Sequence, residues 1–147
     1  MKTLYSILAV SFILISIAAC NKYEFGPDVS LRTKKGRLAN EWELVDIVKN
    51  RMDTLGTINT QMEITFDKDY NVESSITYKN TSIGDSTVNY QGEWTFDNDG
   101  IELIIIQTDP NGQKSADLYE VLLLTKDELW LSEVVGTDEY IYYFEEK

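Results

Sequence analysis

The 147-residue chain has no histidine, a single cysteine and two prolines. Without histidine the commonest general base, the commonest zinc ligand and the ordinary pH switch are missing. A serine hydrolase triad of the usual kind cannot be built. One cysteine, Cys20, excludes an intramolecular disulfide. Positive charge is also scarce: 13 basic residues stand against 25 acidic ones, a formal charge of −12. Such a surface repels nucleic acid and anionic lipid, so no nucleic-acid partner is expected. No long helical pattern runs through the body of the chain. These absences point away from catalysis: the chain reads as a non-enzyme, with no catalytic residue, no metal ligand and no cofactor.

What is present begins with one apolar run, Leu4 to Ala19, behind Lys2. As a helix it would reach about 24 Å at ~1.5 Å per residue, short of a ~30 Å hydrocarbon core. A positive start, an apolar middle and small residues at the end make a secretory signal over residues 1–19. The run closes on Ile17-Ala18-Ala19-Cys20, which resembles the lipobox of bacterial lipoproteins. That resemblance implies that Cys20 is acylated, with palmitate or a similar chain, and becomes the mature N-terminus. It places the protein in the bacterial cell envelope with the membrane as a partner. Asn21 after the cysteine, rather than Asp, fits the outer membrane. One acyl chain holds only marginally, at ~0.8 kcal/mol per buried CH₂, whereas two or three hold durably.

Residues 20–37 read as a tether, with Gly26-Pro27 as its breaker. Arg32, Lys34, Lys35 and Arg37 either face anionic headgroups or form a short solvated helix or coil lying on the acidic domain. The second reading is favoured, because basic runs are usually solvated.

From Glu41 onward the apolar period is two. Met62, Ile64 and Phe66 alternate with polar neighbours, as do Val72, Ile76 and Tyr78, and then Val88, Tyr90, Trp94 and Phe96. Eight strands are expected near 41–49, 60–67, 70–79, 86–97, 100–108, 115–125, 127–135 and 138–146. Asp67-Lys68-Asp69, Asp97-Asn98-Asp99-Gly100 and Asp109-Pro110-Asn111-Gly112 supply turn chemistry between them, with Thr125-Lys126-Asp127 and Gly136-Thr137-Asp138. Short loops between successive strands give an all-β, antiparallel up-and-down meander, and eight strands resolve their edges by closing into a barrel.

Asn40-Glu41-Trp42-Glu43-Leu44 resembles the Gly-x-Trp opening of lipocalins, with Asn40 in place of the Gly. Tyr90-Gln91-Gly92-Glu93-Trp94-Thr95-Phe96, Tyr119 to Leu124 and Tyr140 to Phe144 complete the likeness. Residues 38–147 thus resemble the lipocalin-like domains of bacterial lipoproteins, which implies an eight-stranded barrel, sometimes with an apolar cavity.

The remaining constellations are weighed against bland readings. Asp67-Lys68-Asp69-Tyr70-Asn71 begins like a calcium loop but lacks its Gly and distal Glu, so a hairpin turn fits better. Glu145-Glu146 and Asp138-Glu139 read as an acidic rim, since nothing sets them across a cleft. Asp53-Thr54-Leu55 and Asp85-Ser86-Thr87 resemble a short O-glycosylation motif, and coincidence explains them as well. The inner face offers Met62, Ile64, Phe66, Val72, Ile76, Tyr78, Tyr90, Trp94 and Tyr142 as core or as ligand-binding residues, with Ser74 and Gly92 leaving space. Ile104, Ile106, Leu118, Leu122 and Leu124 share a face with Glu102 and Glu120. They form an apolar outer patch to be covered by Val29, Leu31 and Leu38 or by an envelope protein. The expected function is binding of a small apolar or amphipathic ligand. The alternative is a non-catalytic interaction subunit of an envelope complex, with a filled barrel and that patch as its contact.

Overall fold

The computed structural model describes residues 32–54, 59–81, 84–97 and 100–147. The expected signal segment, Cys20, Val29 and Leu31 lie outside these residues.

Among the described residues nine strands follow one helix: α1 (Lys34–Leu38), β1 (Glu41–Lys49), β2 (Asp53–Thr54), β3 (Thr60–Phe66), β4 (Asn71–Thr81), β5 (Gly84–Phe96), β6 (Glu102–Thr108), β7 (Lys114–Leu124), β8 (Glu128–Val135) and β9 (Asp138–Glu146). Each long strand pairs antiparallel with the next, and β1 closes on β9. The eight long strands therefore form the expected closed barrel. β2 is an addition: two residues that pair with the end of β1 at Val48↔Thr54 and Lys49↔Asp53.

The strand alternation explains the core. Trp42, Leu44, Ile64, Phe66, Val72, Trp94, Leu103, Ile105, Val121, Leu124, Leu129, Leu131 and Phe144 form one buried cluster. The edge of Trp94 meets Phe66 and Phe96 at centroid distances of 5.9 and 5.5 Å. Gly92 lets β5 approach β6 closely, since a Cβ there would stand 1.8 Å from the Ile106 carbonyl oxygen.

One end of the barrel is stoppered by α1. Thr33 caps the helix, its Oγ1 accepting from Gly36 N at 3.0 Å. Lys34 Nζ donates to the Gly100 carbonyl at 2.8 Å, and Lys35 Nζ lies 3.5 Å above the Tyr70 ring. These contacts tie the helix to the β5–β6 and β3–β4 turns. Leu38 is fully buried in the core, and its carbonyl accepts from Trp42 Nε1 at 3.0 Å. The basic stretch is thus a packed plug rather than a solvated face: Arg37 is buried as well.

The outer patch needs correcting. On β6 the expected parity holds, with Ile104 and Ile106 opposite the inward Leu103 and Ile105. On β7 Leu118 points outward, but the register with β8 shifts between Val121↔Leu131 and Leu123↔Trp130. That bulge inserts one residue and reverses the alternation beyond it. Leu124 therefore sits in the core opposite Leu129, and Leu122 is buried too. Leu38 belongs to the core instead of covering the patch.

Candidate functional site

The inner face changes character toward the end away from α1. Strand alternation brings Ile47, Met62, Ile76, Tyr90, Gln107, Asp117, Tyr119, Glu133 and Tyr142 inward there. Most are only partly buried. On β7, Asp117 and Tyr119 stand opposite the inward Ile105 and Leu103. On β8, Glu133 continues the face of Leu129 and Leu131. The sequence thus places two carboxyls inside a barrel, where charged side chains are rarely found.

These groups form one network. The rings of Tyr119 and Tyr142 meet edge to face at 6.0 Å between centroids. Both hydroxyls lie beside the Glu133 carboxylate, whose charge acts on their titration. Loss of hydration raises the Glu133 pKa above its ordinary 4.5, the charge of Asp117 raises it further, and the two tyrosine hydrogen bonds pull it back in part. Burial, then the Glu133 charge, pushes the Tyr142 hydroxyl up to about 12 and the more buried Tyr119 hydroxyl higher still. Both tyrosines are therefore donors at neutral pH. Nearby, Gln107 Nε2 donates to Ser74 Oγ at 3.0 Å, and both residues are buried.

The wall beside this network is open. The β7–β8 ladder runs from Leu124↔Leu129 to Glu120↔Ser132 and stops. β7 continues to Lys114 paired only with β6, and β8 continues to Val135 paired only with β9. A groove of about 570 Å³ occupies the opening, and Asp117, Glu133, Leu118 and Val134 are among its lining residues. Leu118 and Val134 are 55% and 71% exposed at its lips.

The structure divides the expected ligand residues. Ile64, Phe66, Val72 and Trp94 are buried in the cluster under α1 and are core, because Leu38 and the aromatic rings fill that end. Met62, Ile76, Tyr90 and Tyr142 are half-buried in the open half, and Tyr78 is exposed. Asp117, Tyr119, Glu133 and Gln107 were missing from the expected set. The available signal was parity: counting back from Val121 and forward from Leu131 puts polar side chains on the inner face.

The acidic turns are turns. Asp67 Oδ1 accepts from Asp69 N and Asn71 N at 2.8 Å each. Asp109 Oδ1 accepts from Asn111 N and Gln113 N at 2.9 and 2.7 Å. Among the described residues no group of three or more acidic or cysteine side chains could hold a metal ion.

The family comparison agrees with this architecture. The model of a lipocalin-like domain family matches residues 38–131. No curated protein matches the chain. Among solved structures, a redesigned β-barrel aligns at a TM-score of 0.49 and 10% identity, covering 81% of this chain and 99% of its own. A candidate lipoprotein from Shewanella oneidensis aligns at 0.43 and 13% identity, covering 81% and 98%. With the family match extending from the end of α1 into β8, over more than half of its length, the chain belongs to the lipocalin-like domain family.

Proposed function

We propose that this protein is a non-enzymatic, lipid-anchored protein of the bacterial envelope, held in the outer membrane through Cys20, whose barrel binds a small amphipathic ligand. One observation carries the binding part. The inner face is packed solid only under α1, while at the other end the β7–β8 wall parts over a groove of about 570 Å³ with polar groups behind it. Small-ligand sites are typically concavities of about 300–1,000 Å³ with a few convergent polar groups. The lack of histidine supports binding over catalysis, and the Ile17-Ala18-Ala19-Cys20 terminus supports the anchor.

A second reading, an interaction subunit of an envelope complex, draws on the exposed Ile106, Leu118, Val134 and Val135 on or beside the same lips. Native mass spectrometry of the protein purified from its own host separates the two. A small-molecule adduct that dissociates on activation, on a chain beginning at an acylated Cys20, is the expected result. A stoichiometric protein partner with no adduct would favour the second reading, and a chain retaining residues 1–19 would remove the anchor.

A further inference from the structure

Carboxyls dominate the polar lining of the opening, which includes Glu102 and Glu120 besides the inward pair. Asp117 and Glu133 are carboxyls reached by the groove. Tyr119 and Tyr142 stand beside Glu133 and add ring surface, which attracts cations. The whole chain is strongly acidic, so its field draws cations in and turns anions away. Outside this acceptor set, Leu118 and Val134 offer apolar surface on either side of the opening.

We infer that the ligand is an organic cation: an ammonium or guanidinium head on an apolar body. The head donates to Glu133 and Asp117, and the body lies between Leu118 and Val134. A carboxylate-headed ligand such as a fatty acid is disfavoured, because two carboxylates would meet its head. This assignment rests on the ligand-binding reading above and names the class of ligand for that same site.

Calorimetric titration of the full chain with octylammonium, octanoate and octanol, at pH 7 and moderate salt, tests it. The three share one apolar body and differ only in the head. Octylammonium is expected to bind at one site at least tenfold more tightly than either of the others. Asp117→Asn and Glu133→Gln should each remove most of that margin while leaving octanol unchanged, and Asp117→Asn guards against a folding defect in the other variant. Equal binding of all three overturns the cation assignment and leaves the ligand-binding reading standing. Binding of none overturns both. Octylammonium uptake that is non-saturating, or that survives both substitutions, is association with the acidic surface only and likewise overturns the assignment.

Discussion

Glu133 is held in the barrel at a cost to the fold. Its pKa is raised, so the folded chain binds the proton more tightly than the unfolded chain does. As pH rises from the ordinary value of 4.5 through the folded value, the unfolded state ionises first and stability falls. Above that window the loss is complete, and below it there is none. Glu133→Gln retains an acceptor for the tyrosines and removes the charge. Because the residue is only half-buried, solvent screens part of the effect, and thermal melts at pH 7 should show a gain of roughly 1–3 °C. At pH 4 the variant should match the wild type. A uniform loss at both pH values would mean that Glu133 is a structural acceptor whose charge is tolerated.

At the scale of elements, the two ends of the barrel differ in what closes them. α1 is only five residues and could not persist alone, yet Trp42 and Leu38 lock it in place through burial and one hydrogen bond. Trp42→Ala would leave a cavity under the plug and should cost ~3–5 kcal/mol in urea unfolding. A cost below about 1 kcal/mol, within the range of surface changes, would contradict its place at the centre of the core. At the opposite end the β7–β8 ladder runs out above Glu120↔Ser132. Amides of β7 between Lys114 and Tyr119 that point away from β6 should therefore exchange with solvent much faster than those of Val121 to Leu124. Equal protection along both halves of β7 would mean that the wall is closed in solution. The β7 bulge belongs to this contrast, since it turns Leu124 into the core below the opening while Leu118 stays outside it.

At the scale of the molecule, acidic groups outside the barrel act oppositely to Glu133. Asp138 is held below its ordinary value by Lys49, and Glu139 by Arg51, where β9 closes on β1. Asp67 and Asp109 are held low by their turn hydrogen bonds. Their contribution is present above the unfolded values of 3.8 and 4.5 and is lost as pH falls through the folded ones. Barrel closure and turns are therefore acid-sensitive, whereas the site is relieved by acid, and the two trends meet in mildly acidic solution.

Period-two patterning, Asp- and Gly-centred turns and short loops suffice to specify the barrel, because a strand's faces alternate whatever its neighbours do. Other features depended on contacts between distant residues. Parity marks Asp117 and Glu133 as inward, but only the packed barrel brings them to one opening with Tyr119 and Tyr142. A single bulge, invisible in the run Leu122-Leu123-Leu124, reversed the facing of Leu124. The plug of Lys34–Leu38 reads as solvated until the barrel end offers Leu38 a place to bury. Where the ladder stops is decided by strands that splay as the barrel closes, a property of the whole sheet that no segment carries alone.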